Sequence, residues 1–415
     1  MDTPVLLCVT GPREPELVRA ISGAPGLVVA RRCADVTELL AVAATGRGAL
    51  AVVSASHLGI DREVVDRLHR AGAGVLGISS PEDAGRVAAL GCDAVVETGA
   101  PASAVVEALT RLRSLPDVAE PERGEASAAE GGPRRRESEE APARGKIVTV
   151  WGTTGSPGRT VIAANVARTL SESASACLVD ADTRSPSLTQ VLGLVEDSSG
   201  VAAAARAAAN GRLDEVSLDR AARGVGRLAV LTGLTRPDRW REVPSSALSV
   251  VLDRCRDSYD WTVVDVTGGW EEDEGDGLGP ARDGARETAL READVLVTVG
   301  AADPVGVWRL VELLSVRPRT SARDVVVVSK SRSGVTGPSP QHAVKEALSR
   351  FAGVGDAIVV PYDRQGFDTA LLQGTFLADV APDSAALAAI YQLTEAVTGG
   401  RIGVRRRALR GRRVP

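Results

Sequence analysis

Residues 146–165 read KIVTVWGTTGSPGRTVIAAN, an apolar run that breaks into a Gly-rich loop opening directly onto a helical pattern. Ile147 to Trp151 reads as a buried parallel strand, Gly152 to Gly158 as the loop, and Thr160 to Leu170 repeats apolar residues at helical spacing. Glycines in such a loop let backbone N–H groups converge on phosphate oxygens, and the helix N-terminus adds a favourable dipole. The general pattern G-x-x-x-x-G-K-[ST] is met incompletely, with Thr153 at the first Gly and Arg159 at the Lys. Taken alone, a Gly- and Pro-containing string of this kind also fits an ordinary turn.

Two further strands sharpen the reading. CLVDADTRSPSLTQVLGL (Cys177 to Leu194) is a short buried strand ending in Asp180 and Asp182, at the strand edge where open α/β sheets bind ligands. YDWTVVDVTGG (Tyr259 to Gly269) is a second one, ending in Asp265 and a Gly-containing turn, the Walker B arrangement that holds Mg²⁺. Each Asp taken singly could instead cap a following helix. A phosphate loop followed by two carboxylate-ending strands in this order favours the nucleotide-site reading.

On these residues the chain resembles the MinD/ParA branch of P-loop ATPases over residues 146 to about 398, and within it the CpaE/TadZ-like proteins that pair a receiver-like domain with the ATPase, in their actinobacterial form. The branch's loop reads K-G-G-x-G-K-[ST], so Thr154 stands at its signature lysine, Gly155 and Ser156 at its glycines, Pro157 at x, then Gly158, Arg159 and Thr160, followed by Val161. VDAD (Val179 to Asp182) looks like the switch carboxylates and DVTGG (Asp265 to Gly269) like Walker B with the second switch. VVVVSKSR (Val325 to Arg332) looks like the strand that ends in an adenine-reading Asn, here Ser329, and VVPYDRQGFDTALLQG (Val359 to Gly374), with Pro361 and Asp363, like the late segment beside the base. The resemblance implies ATP and Mg²⁺ as cofactors. It implies Gly155, Ser156, Pro157, Gly158, Arg159, Thr160 and Val161 around the phosphates, with Ser329, Pro361 and Asp363 at the base. Thr160, Asp265 and Asp180 would stand at the metal, and Asp180, Asp182 and Arg159 in switching and catalysis. It also implies a homodimer and, as partners, pilus, secretion or polar-localisation proteins.

Both branch lysines are absent. The chain has three lysines, Lys146, Lys330 and Lys345, among 49 basic residues, so part of the replacement is compositional. A planar guanidinium is nevertheless not interchangeable with a compact ammonium at a phosphate. Arg159 can neutralise phosphate while transition-state geometry suffers, and Thr154 removes the lysine that in this branch crosses to the partner subunit's nucleotide. Hydrolysis and nucleotide-sandwich dimerisation are therefore both in question.

At 415 residues the chain exceeds one ordinary core. The expected divisions are a degenerate receiver-like domain over 1–115, a disordered linker over 116–145, a nucleotide-binding domain over 146–398 and a basic tail over 399–415. The linker PDVAEPERGEASAAEGGPRRRESEEAPARG has almost nothing to bury. A net charge of −5 supplies no basic field for nucleic acid. Cys8, Cys33, Cys92, Cys177 and Cys255 lack C-x-x-C spacing and read as reduced core thiols of a cytosolic protein; His57, His69 and His342 are isolated. No apolar run approaches a membrane span and the N-terminus has no basic n-region.

The first domain alternates VLLCV, PELVRAIS, LVVARR, VTELLAVAA, ALAVVS, REVVDRLHRA, GVLGIS, DAGRVAAL, AVVET and SAVVEALTRL, a pattern that predicts a flavodoxin-like receiver topology. The fold class is thus α/β with two doubly wound parallel-sheet domains, the second a P-loop NTPase. A working receiver needs acidic residues after its first strand and an Asp after its third. Here the first strand runs into Thr10, Gly11 and Pro12, the third ends in Ser54, Ala55 and Ser56, and Glu97 and Thr98 stand where a receiver carries Lys. Docking or dimerisation is the better expectation than phosphoacceptor chemistry.

Gly200 to Arg220 is an Ala-rich helical stretch, and Arg227 to Trp240 reads as a strand leading to a loop whose Arg236 and Arg239 either reach a phosphate or sit on the surface beside a packing Trp240. Glu271 to Asp283 reads as a solvated switch extension. The tail carries seven arginines from Gly399 to Pro415, suited to anionic lipid, nucleic acid or no specific partner. Three readings stay open: an ATPase, slow or partner-stimulated, that positions or assembles a pilus or secretion apparatus; a non-hydrolysing nucleotide-binding scaffold; and a partitioning or septum-site ATPase. All place the protein in the cytoplasm, with the inner face of the membrane as a peripheral location.

Overall fold

The computed structural model describes residues 2–9, 11–54, 59–114, 144–155, 158–195, 198–270, 281–317 and 320–400. Thr10, Ala55, Ser56, His57, nearly all of the expected linker, the loop residues Ser156 and Pro157, the acidic stretch 271–280 and the tail 401–415 lie outside them. The chain divides into two compact units, Met1–Ala143 with Ala209–Arg212, and Arg144–Ala208 with Leu213–Pro415.

In the first unit the strands are β1 (Thr3–Cys8), β2 (Leu27–Arg32), β3 (Leu50–Ser54), β4 (Gly74–Ser79) and β5 (Ala94–Glu97), in the order β2-β1-β3-β4-β5 and parallel throughout. This is the doubly wound order 2-1-3-4-5. Strands buried on both faces need not alternate, and β1 and β3 are accordingly near-continuous apolar runs. Leu17, Ile21, Val105 and Leu109 cover one face of the sheet, while Leu39, Val65 and Leu68 cover the other. Asp35 and Asp61 accept the backbone N–H groups of Glu38 and Val64, which fixes where two of the covering helices begin.

The second unit holds eight strands: β6 (Lys146–Gly152), β7 (Ala176–Asp180), β8 (Arg223–Val225), β9 (Leu228–Leu231), β10 (Trp261–Asp265), β11 (Val295–Ala301), β12 (Arg323–Ser331) and β13 (Ile358–Pro361). Their order is β13-β12-β11-β6-β10-β7-β9-β8, all parallel except the short edge strand β8. Because β6 lies between β10 and β11, the loop that leaves it emerges at the sheet's switch point, where strand connections diverge and leave a crevice. The following helix, Arg159–Leu170, is packed on nearly every side; Ala163, Ala164 and Ala167 let it lie close to the sheet.

Two local expectations are revised. The Ala-rich stretch is two helices, Gly200–Ala209 and Glu215–Ala221, because Asn210 and Gly211 form a turn and Asp214 caps the second helix. The segment after β9 contains a 3₁₀ turn over Pro237–Glu242, in which Arg236 pairs with Asp238 and Arg239 with Glu242 on the surface.

Candidate nucleotide site

The site starts with glycines that the backbone requires. A Cβ on Gly152 would lie 1.9 Å from the carbonyl oxygen of Val299, so only glycine lets β6 leave the sheet there. Gly155 and Gly158 both take left-handed φ values, +88° and +93°, conformations that cost an ordinary side chain about 1–2 kcal/mol. Gly158 is also the N-cap of Arg159–Leu170 and carries no side chain to occupy the helix's first N–H groups. Gly155 and Gly158 bracket Ser156 and Pro157.

Arg159 turns inward. Its Nη1 donates to the carbonyl oxygen of Thr153 at 2.7 Å, and its Nη2 lies 3.7 Å from Asp182 Oδ2. Its guanidinium also packs on Gly268, where a Cβ would fall 2.3 Å from Nη1. Thr160, in the first turn of the helix, accepts at its hydroxyl from Ser187 Oγ at 3.2 Å, and Val161 follows, half-buried.

The three carboxylates occupy adjacent strand ends but different environments. Asp180 on β7 accepts from the backbone N–H groups of Ser187, Leu188 and Asp182 and thereby holds the turn after β7. Burial, with the charge of Asp182, pushes its pKa up to about 7 against those hydrogen bonds. Asp182 accepts from the Thr267 hydroxyl and from the N–H groups of Arg184 and Ser185, so it ties the turn after β7 to the turn after β10.

Asp265, at the end of β10, differs from both. It is fully buried, and neither carboxylate oxygen has a well-formed hydrogen bond with a described residue. Burial first, then the charges of Asp180 and Asp182, raise its pKa well above the carboxylate range, opposed by the nearby Thr160 hydroxyl and by Arg159. Native structures rarely strand a buried polar group in this way. Two unbonded carboxylate oxygens beside a threonine hydroxyl are what a small hard cation takes as oxygen ligands. Mg²⁺ therefore fits Thr160 and Asp265, whereas both Asp180 oxygens are committed to backbone N–H groups. No cluster of three His, Cys, Asp or Glu suited to a metal occurs among the described residues.

Ser329 is buried on β12, and its hydroxyl lies 3.9 Å from where a Cβ of Gly158 would be, beside the loop that leaves β6. Pro361 ends β13 and lines an open groove of about 420 Å³ with Ser331, Ser339, Pro340, Gln341 and His342. Asp363 caps the helix Arg364–Gln373, accepting from the Gly366 N–H and the Ser384 hydroxyl. Thus the structure gathers Gly155, Gly158, Arg159, Thr160, Asp180, Asp182, Asp265 and Ser329, while Pro361 and Asp363 lie on the β13 side.

Sequence reading missed a second layer. Asp283, itself buried, accepts two hydrogen bonds of 2.9 Å from Arg184 and lies 3.3 Å from Arg286 Nη2. Arg286 in turn donates to the carbonyl oxygen of Gly269 and stacks on Trp270, which meets Trp151 edge-on. These residues brace the two turns that carry Asp182 and Gly269. Their sequence signal was the charge density after Asp265.

Neither a family model nor a curated protein matches the sequence. Among solved structures, the ParA family ATPase from Chlorobium tepidum TLS is similar with a TM-score of 0.50 at 19% identity, covering 60% of this chain and 98% of that one. The cell division ATPase MinD of Pyrococcus furiosus is similar with a TM-score of 0.50 at 17% identity, covering 61% of this chain and 99% of that one. The chain thus contains the fold of MinD/ParA family ATPases. Among the described residues no helix is long and apolar enough to cross a membrane.

Proposed function

We propose that this chain is a MinD/ParA-type protein that binds ATP with Mg²⁺ and uses nucleotide state to control the placement or assembly of a pilus or secretion apparatus from the cytoplasm. The observation that carries the nucleotide reading is Asp265, a buried carboxylate whose two oxygens have no well-formed hydrogen bond among the described residues, set beside Thr160 and a loop whose glycines require left-handed backbone. In this reading Gly155, Ser156, Pro157, Gly158 and the first N–H groups of the helix after Gly158 hold the phosphates, while Thr160 and Asp265 hold the metal. Ser329, Pro361 and Asp363 stand on the base side. Mg²⁺ would supply charge neutralisation of the phosphates.

The chain's own contribution is positioning. Asp182 links the two turns after β7 and β10, Asp180 fixes the first of them, and Arg159 bridges loop and switch. A loop that holds phosphate through backbone N–H groups, with its arginine engaged elsewhere, favours binding over fast hydrolysis. The second reading, a non-hydrolysing scaffold, has that Arg159 geometry in its favour.

We further propose CpaE/TadZ-like organisation, with residues 1–115 as a receiver-like docking or dimerisation module, 116–145 as tether and 399–415 as a basic tail. The parallel strand order of the first unit supports this, as does the absence of an acidic residue at the end of β3. Phosphate release measured beside ATP affinity separates ATPase from scaffold. Salt-dependent DNA binding by the full chain would instead favour a partitioning role.

A further inference from the structure

The loop's own arginine is turned inward, which leaves open what charge meets the outer phosphates. β11 runs parallel to β6, with Val299 opposite Gly152, so the helix that follows β11 begins beside the phosphate loop. That helix, Pro304–Val316, is capped by Asp303, which accepts from the Gly306 N–H, and it buries Gly306, Leu310 and Leu313 against the sheet. Arg309 lies exposed on the flank of that buried stripe, one position before Leu310. The Arg309 guanidinium reaches the loop: its Nη1 lies 2.8 Å from the position a Cβ would take at Gly155. It makes no hydrogen bond or ion pair with a described residue.

On the other side of the same rim, the Thr154 methyl lies 2.8 Å from where a Cβ of Gly269 would be, so the rim closes on the turn after β10. Loops in that place respond to the terminal phosphate in nucleotide switches. Among the described residues the rim therefore carries one uncommitted cation, Arg309, near Thr154, whose short neutral side chain supplies no charge.

We propose that Arg309 is a phosphate-binding residue of this site, contributing from a different element the positive charge that Thr154 lacks and setting the preference for a nucleoside triphosphate over the diphosphate. The assignment rests on the nucleotide reading of the phosphate loop. A guanidinium poised over Gly155 can offer two N–H donors to a distal phosphate, and its planar fork suits that group. Because the side chain is exposed and uncommitted, its removal should leave folding intact.

The test is equilibrium binding of ATP and of ADP, each with Mg²⁺, to the full chain and to Arg309→Ala and Arg309→Lys. We expect Arg309→Ala to weaken ATP about tenfold, the worth of a charge-assisted hydrogen bond, with ADP changed less than about twofold and Arg309→Lys intermediate. Unchanged ATP affinity in Arg309→Ala, or equal loss for ATP and ADP, would overturn the assignment while leaving the nucleotide site intact. A wild-type chain that binds neither nucleotide would overturn the site itself and this assignment with it.

Discussion

Asp265 and Asp180 are directly paired across the β10–β7 ladder, both sealed from solvent, yet the oxygens of Asp180 are filled by backbone N–H groups and those of Asp265 have no well-formed hydrogen bond among the described residues. Two adjacent carboxyls in that setting resist ionisation together. The pair is therefore costly without a cation and well suited to one.

Asp265→Asn should consequently stabilise the cation-free protein by about 1–3 kcal/mol at pH 8, because a neutral amide removes the second buried charge and its repulsion with Asp180. Both carboxyls have raised pKa values, Asp180 from 3.8 to about 7, so the folded state holds protons that the unfolded state releases. Stability from these groups thus falls as pH rises from about 4 through 7, and the gain from Asp265→Asn should shrink at pH 5. Thermal melts at the two pH values check this. Mg²⁺ should raise the melting temperature of wild type in the presence of ATP but not that of the variant.

Asp283→Ala should destabilise the second unit by about 3 kcal/mol, because Arg184 and the buried Arg286 lose the carboxylate they share. Burial would raise the Asp283 carboxyl, yet the hydrogen bond from Arg184 and the charges of Arg286, Arg184 and Arg282 bring it below the usual range. Its contribution is therefore present above the ordinary carboxylate pKa and lost as pH falls. Urea denaturation at pH 7 measures the loss. A variant as stable as wild type would show that the bracing of the two turns lies elsewhere.

Restoring the branch lysines, Thr154→Lys with Arg159→Lys, should raise ATP-dependent dimerisation and phosphate release above a wild-type level that is slow or undetectable. An ammonium at 159 can lie along the phosphates without the Thr153 and Asp182 contacts that now hold the guanidinium. Light scattering with ATP, with Asp265→Ala as control, reads the first effect. Strong ATP-dependent dimers in wild type would assign the role to another residue.

The N-terminal unit should not accept a phosphoryl group. Its β3 ends in the buried Ser54 and no carboxylate follows in sequence before Asp61, itself committed to capping a helix. Full-length protein incubated with acetyl phosphate and Mg²⁺ should show no mass increase by intact mass spectrometry. A stoichiometric adduct would make the first unit a working switch.

The strand, loop and helix from Lys146 to Leu170 were legible because a buried parallel strand, a run of glycines and a helical apolar repeat are each local signals. Asp265 was legible for the same reason. The unlike environments of Asp180 and Asp265 were not, since they depend on where Ser187 and Leu188 present their N–H groups after the chain turns. Arg309 is the clearest omission: its meeting with Gly155 exists only because β11 pairs with β6. The three-residue β8 is too short to carry a pattern, whereas the break at Asn210 and Gly211 was written in a turn dipeptide that the surrounding alanines obscured.

The most direct measurement is calorimetric titration of ATP into wild type and Gly158→Val, with and without Mg²⁺. At Gly158 the φ of +93° excludes a β-branched residue without distortion of the loop, and that distortion removes the N–H groups from the phosphate. The account predicts Mg²⁺-dependent binding to wild type, no detectable binding to Gly158→Val, and a smaller loss in Arg159→Ala. Equal ATP affinity in wild type and Gly158→Val would contradict it.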